Sequence, residues 1–275
     1  MTIHDPYHAP PGELLKLEGA GNDFLVLMDP EGSDDTAGAP LARAVCDRHL
    51  GFGADGLIRC RFAPAGSGSG LVFELWNADG SEAEMSGNGI RCMAHAALDA
   101  GWVQEGVSFG VLTPAGRREV ATTRSGKAST WGRVEMGQAK VEGEVSRCNI
   151  GHGQLLVDMG NPHLVVAGPD PAGLDVAGLG AALGASQAGG LNVEFVTLGP
   201  GADEVTMRVW ERGVGETQAC GTGSCAAAAA FHHWGRVGRM VTVHQPGGSV
   251  VVELRVDGTV VLSGPSRRIG RCTLT

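Results

Sequence analysis

An internal repeat constrains this chain more than any other feature. Residues 73–103, FELWNADGSEAEMSGNGIRCMAHAALDAGWV, lie over residues 207–237, MRVWERGVGETQACGTGSCAAAAAFHHWGRV, at an offset of 134 with no gap. Eight positions are identical: Trp76/Trp210, Glu82/Glu216, Gly87/Gly221, Gly89/Gly223, Ala94/Ala228, Ala96/Ala230, Gly101/Gly235 and Val103/Val237. Glycine and alanine matches come easily in a chain with 45 glycines. The tryptophan, the glutamate and the two glycine pairs in register do not. Each copy reads as strand, turn, helix. LVFELW and VTMRVW have strand composition or alternation, and ADGS and RGVG are turn chemistry. IRCMAHAALDAG and SCAAAAAFHHWG are helices of small residues, and a helix apolar on most sides is buried. Gly101 and Gly235 stand where a helix C-terminal glycine belongs. The pattern predicts an α+β fold of two pseudo-symmetric lobes, each a curved, mostly antiparallel sheet wrapped around one central helix.

The flanking segments fit this plan. LLKLEGAGNDFLVLMD and LLVDMGNPHLVVAG both read as strand, Gly-Asn-containing turn, strand. The expected first lobe is residues 1–130, with 1–13 a loose extension and the tail 265–275 packing back on it. The second lobe is 131–264, entered at GRVEMGQ after a polar link, TTRSGKAST. VVELRVDGTVVLSGP reads as a hairpin with Asp257-Gly258 at its turn.

Charge and composition exclude several classes. A net charge of −9 lacks the basic field of a nucleic-acid binder. With 43% hydrophobic residues, a buried core is feasible. No window reaches the ~18 apolar residues of a membrane span, and MTIHDPYHAPPGE has no apolar signal run. Seven irregularly spaced cysteines suit free thiols in a reducing cytoplasm. GFGADG, residues 51–56, spells a dinucleotide fingerprint but sits between a helix and a strand in the wrong order, so it reads as a turn. SGKAST lacks the rest of a phosphate loop. His232 and His233 are adjacent and cannot share a helix face. Cys220 and Cys225 have no matching second pair, so no metal site is expected. Cys92 and Cys225 read as packing residues.

The chemistry concentrates where each repeat's helix starts. Ser86 precedes Gly-Asn-Gly and Cys220 precedes Gly-Thr-Gly. The unpaired amides of a helix N-terminus bind anions such as a carboxylate, and they favour thiolate, moving a cysteine pKa down from ~8.5. If the two starts faced one another across a carboxylate, one side chain could take a proton from one face of the adjacent carbon. The other could return it on the opposite face, and the result is inversion without metal or cofactor.

The chain resembles the diaminopimelate epimerase family over almost its full length. The matching segments are GAGNDF, DRHLGFGADG, WNADGSEAEMSGNGIRC, MGNPH, LNVEFV and ERGVGETQACGTGSCAAA, in order. The resemblance implies a cofactor-independent, two-thiol epimerisation of LL- to meso-diaminopimelate, in lysine and peptidoglycan precursor synthesis. It also implies a small-molecule amino-acid substrate, no nucleic acid or membrane partner, and a homodimer. By motif, Ser86 and Cys220 hold the two acid/base positions. Gly87, Asn88, Gly221 and Thr222 would supply donors to the reacting carboxylate. Asn22, Asn77, Asn161 and Asn192 match substrate-recognition positions, and Glu211 and Arg212 the pair that grips the amino and distal carboxyl groups.

Ser86 departs from that family, which carries cysteine there. A hydroxyl keeps its proton at neutral pH. A helix start contributes ~0.3–2 kcal/mol, and one pKa unit is ~1.36 kcal/mol, so the helix cannot make serine a useful base. Three readings stay open: a cysteine replaced by serine, a natural and slower epimerase, or one-sided chemistry such as elimination or another racemisation. A silent protein that only binds a diamino dicarboxylic acid is the competing class.

Overall fold

The computed structural model describes residues 13–32 and 38–274. The expected loose extension therefore lies outside the described residues, apart from Glu13, which opens the first strand. The chain divides into two compact units, residues 1–134 with 265–275, and residues 135–264.

In the first unit the strands are β1 (Glu13–Gly19), β2 (Asn22–Met28), β3 (Gly56–Phe62), β4 (Leu71–Asn77), β5 (Glu82–Ala83), β6 (Phe109–Thr113), β7 (Gly116–Gly126) and β8 (Ser129–Gln138), which runs on past the unit's end. The helices are α1 (Ala39–Cys46) and α2 (Gly87–Asp99). The β1–β2 hairpin turns at Ala20 and Gly21, both at positive φ. Two crossovers are parallel, β2 to β3 through α1 and β4 to β6 through α2; the other pairings with printed register are antiparallel. The last strand of the chain pairs with β1 from Arg267 to Thr273, and also with β8. The sheet thus wraps α2, whose every residue is buried. Apolar side chains alone would not predict this, since Asn88, Arg91, His95 and Asp99 are buried with the rest.

The second unit repeats the plan with β9 (Lys140–Glu144), β10 (Gly153–Asp158), β11 (Pro162–Ala167), β12 (Asn192–Leu198), β13 (Glu204–Glu211), β14 (Gly215–Thr217), β15 (Met240–Gln245), β16 (Gly248–Leu254) and the first part of β17 (Thr259–Thr273). Its helices are α3 (Val176–Gly184) and α4 (Gly221–His233). Again two pairings are parallel, β11 with β12 and β13 with β15, and each carries a helix in its crossover. The α4 helix is buried from Gly221 to Phe231 except at Thr222, and its run of alanines lets the strands come close. The repeated tryptophans serve the outer helices. Trp76 packs on the cluster of Ala42, Val45 and Cys46. Trp210 lies so close to α3 that a Cβ at Gly180 or Gly184 would come within 2.3 Å of it.

The structure corrects one local expectation. TTRSGKAST is no link but the tip of the β7–β8 hairpin inside the first unit, and the chain leaves that unit after Val134. Its polar composition misleads because one face of the strand pair is covered: Thr122 and Thr130 are buried, while Arg124 and Ser125 are exposed. The expected hairpin at Asp257-Gly258 is present, with Gly258 at φ 86°. No disulfide joins any of the seven cysteines, and Cys92 and Cys225 are fully buried among packing residues.

Candidate active site

Ser86 is the N-cap of α2. Its backbone is extended (φ −147°, ψ 112°), and its hydroxyl accepts the Gly89 N–H at 3.0 Å. Cys220 is the N-cap of α4, with φ −130° and ψ 122°, and its sulfur accepts the Gly223 N–H at 3.3 Å. The device is the same, with one atom type exchanged. An N-cap satisfies only part of a helix start, so the amides of Gly87 and Asn88, and of Gly221 and Thr222, have no acceptor within their helices. Both starts favour negative charge.

In the first unit a polar chain fixes the surroundings of Ser86. Arg91, buried on α2, donates to Asn88 Oδ1 at 2.9 Å. Asn88 Nδ2 donates to Asn22 Oδ1 at 2.5 Å, and Asn22 Nδ2 to Asp55 at 3.2 Å. Arg48 then bridges Asp55 and Asp23, each at 2.8 Å, while Lys16 pairs with Asp23 at 2.6 Å. Asn22 and Asn88 are thus brought together. Asn77 ends β4 opposite Gly56, and its amide donates to Ser81 at 3.0 Å.

In the second unit Thr222 and Glu211 are the predicted residues tied to Cys220. Its backbone N–H is held by Gln245 at 2.9 Å and its sulfur lies 3.4 Å from Thr222 Oγ1. Asn192 is occupied by backbone, accepting from Arg212 N at 3.0 Å and donating to Pro162 O at 3.1 Å. That bond sets where the Arg212 strand ends; the exposed guanidinium of Arg212 donates to Gly189 O at 2.8 Å. Glu211 accepts from the Thr217 hydroxyl. Asn161 contacts His163, which pairs with Glu194.

The thiol differs from the sequence expectation. Helix-start amides should favour thiolate, yet burial pushes the Cys220 thiol well above its usual range, and the carboxylates of Glu211 and Glu194 push it further. The Thr222 hydroxyl and the Gly223 N–H act the other way and do not prevail. Burial also raises the Glu211 carboxyl, against hydrogen bonds from Thr217 and Cys220. A neutral thiol beside a carboxyl is the consequence. Sequence reasoning missed His163, Glu194, Asp55 and Arg91. A signal existed for Glu194: it is a lone charge in the apolar run NVEFV, which β12 buries completely at that point. Among the described residues no group of three or more His, Cys, Asp or Glu could hold a metal, and no helix is long and apolar enough to cross a membrane.

Comparison with known proteins identifies the family and the fold. The family model for diaminopimelate epimerase matches residues 14–142 and 155–269. The chain belongs to the diaminopimelate epimerase family. Membership places it among the isomerases. It is 42% identical to the diaminopimelate epimerase of Desulforudis audaxviator over 282 residues, covering 94% of this chain and 97% of that one. It is also 42% identical to that of Corynebacterium glutamicum over 259 residues, 89% and 91% of the two chains. Solved structures share the fold at low identity. A phenazine biosynthesis protein of the PhzF family from Bacillus anthracis matches with TM-score 0.73 at 12% identity, over 96% of this chain and 98% of that one. A hydroxyproline epimerase from Agrobacterium vitis matches with TM-score 0.68 at 20% identity, over 95% and 90%. The two-lobed α+β expectation, with a curved sheet around a central helix in each lobe, agrees with these likenesses and with both units.

Proposed function

We propose that the chain epimerises diaminopimelate at its α-carbon, interconverting the LL and meso forms without a cofactor and serving lysine and peptidoglycan precursor synthesis in the cytoplasm. The single observation that carries this reading is the duplicated N-cap, Ser86 on α2 and Cys220 on α4, each bonded to the amide three residues on. In the proposed complex helix-start amides hold the reacting carboxylate beside the capping side chains that handle the proton. Negative charge developing on that group in the transition state falls where helix-start donors stabilise it.

The electrostatics of Cys220 suggest how the thiol becomes a base. Alone, it is kept neutral by burial and by the charges of Glu211 and Glu194. A substrate ammonium bound to Glu211 cancels the larger of those charges and brings a positive charge of its own. Substrate binding thereby lowers the cost of thiolate formation at the moment the α-hydrogen arrives. Arg212, a planar fork suited to carboxylate, would hold the distal carboxyl group.

Ser86 makes the two faces unequal. Its hydroxyl can give a proton to a carbanion, but it cannot take one from carbon unaided. The chain should therefore exchange the α-hydrogen facing Cys220 faster than it inverts the centre. The test is incubation of LL- and meso-diaminopimelate in D2O, with deuterium at the α-carbon and the isomer ratio followed together. Deuterium uptake outrunning inversion, and lost in Cys220→Ala, is the expected result. Tight binding with no uptake from either isomer would replace this reading with that of a binding protein.

A further inference from the structure

The hairpin that follows each central helix also belongs to the repeat. β6 and β7 turn through Thr113-Pro114-Ala115-Gly116, and β15 and β16 through Gln245-Pro246-Gly247-Gly248. Each turn is closed by the pairing of its first and last residues, Thr113 with Gly116 and Gln245 with Gly248, and both closing glycines have positive φ. The proline fixes one dihedral of each tip. Register thus equates Thr113 with Gln245 and Ala115 with Gly247. Both tips reach the residue two places ahead of a cap. The Ala115 N–H donates to Glu84 O at 3.4 Å, and the Gly247 N–H donates to Gln218 O at 2.9 Å.

The side chains then part ways. Thr113 makes its bond within its own hairpin, donating to Gly116 O at 2.7 Å. Gln245 reaches out of its hairpin, and its Oε1 accepts the backbone N–H of Cys220 at 2.9 Å. The N–H of a cap residue lies outside the helix's own bonding, and in a capping box a side chain three residues on accepts it. The α4 helix cannot supply that side chain. Its third position is Gly223, where a Cβ would sit 2.7 Å from Glu194 Oε1. Gln245 delivers the missing acceptor from the neighbouring hairpin. Cys220 is thereby held at two points, its nitrogen by Gln245 and its sulfur by the Gly223 N–H at 3.3 Å. With the nitrogen pinned, the Cα–Cβ bond keeps one direction and the sulfur stays over the first turn of α4.

We propose that Gln245 is a positioning residue for Cys220, acting through the backbone of that cysteine to hold its sulfur on the first turn of α4. The clasp depends on this unit alone, while its consequence for proton transfer rests on the epimerase reading. A restraint on the group that takes the proton acts on the chemical step, because a misplaced reacting atom slows transfer without removing any contact that binds substrate.

The experiment compares backbone amide spectra of the unsubstituted protein and of Gln245→Met, which keeps the side-chain length and loses the acceptor, alongside deuterium uptake by diaminopimelate with kcat and KM separated. In the unsubstituted protein the Cys220 N–H should exchange slowly with D2O. In Gln245→Met the Cys220 and Gly223 amide resonances should move while those of Ser86 and Gly89 stay. The kcat for uptake should fall about tenfold or more, with KM close to its original value. A fast-exchanging Cys220 amide in the unsubstituted protein overturns the clasp, and this reading needs no variant to fold. A Gly223 amide unmoved in Gln245→Met overturns the hold on the sulfur. Moved amides with kcat unchanged, or with the loss carried by KM, overturn the role in proton transfer. If the unsubstituted protein takes up no deuterium from diaminopimelate, the epimerase reading fails while the amide measurements still decide the clasp.

Discussion

At position 86 a hydroxyl stands where the second copy of the repeat carries the thiol of Cys220, and the difference is one of acidity. The cap geometry is ready for either atom, because the Gly89 N–H that Ser86 accepts has its equivalent at Cys220. Ser86→Cys should therefore raise the rate of inversion by about 10²–10⁴, the range of one positioned acid or base, with little change in fold; chiral chromatography of the product measures it. Cys220→Ala should remove both inversion and α-hydrogen exchange. The two caps were legible in the sequence because a cap is local, written in one residue and the glycines after it. The charge state of the thiol was not. It depends on Glu211 from β13 and Glu194 from β12, and on burial that no local pattern encodes. The asparagines show the same divide: Asn22 and Asn88 meet across the unit, whereas Asn192 is engaged with backbone.

At the scale of elements, the repeat made the architecture readable. Strand, turn and helix recur with the same glycines because each helix start packs against a strand of its own sheet. What lies under the glycine differs, and so should the cost of filling it. A Cβ at Gly89 would meet Ser86 at 3.2 Å and Ile58 at 3.3 Å, contacts that a flexible isoleucine can relax. Alanine also gains about 0.8–1 kcal/mol of helix propensity over glycine, so Gly89→Ala should be close to neutral. A Cβ at Gly223 would sit 2.7 Å from the fully buried carboxylate of Glu194. Gly223→Ala should destabilise by about 1–3 kcal/mol despite the same propensity gain. Urea midpoints of the two variants compare them directly. The β7–β8 hairpin was misread from its sequence for a physical reason: hydroxyls such as Thr122 and Thr130 can be buried in a strand, so polarity alone does not mark a link.

At the scale of the whole chain, the first unit is sewn to its C-terminal strand by a buried charge cluster. Asp99 at the end of α2 takes Arg124 from β7 at 2.8 Å and Arg268 from the last strand, and His95 lies 3.6 Å from it. Burial lowers the His95 ring to about 4, with Asp99 opposing and Arg268 and Arg124 reinforcing the shift. Its folded value lies below its unfolded value of about 6.5, so between them the unfolded chain binds more protons. Stability should be complete above that window and fall with acidification through it, by roughly 1.4 kcal/mol per pH unit at most. Denaturation midpoints measured against pH should show the slope, and His95→Gln should flatten it. The proposed function rests on two capping side chains, Ser86 and Cys220, as the acid/base groups of one epimerisation. Its most direct test is α-deuterium uptake and inversion of diaminopimelate in D2O, run on this chain and on Ser86→Cys side by side. The account predicts uptake ahead of inversion in the former, and inversion rising to match uptake in the latter. An inversion rate unchanged by the new thiol would contradict it.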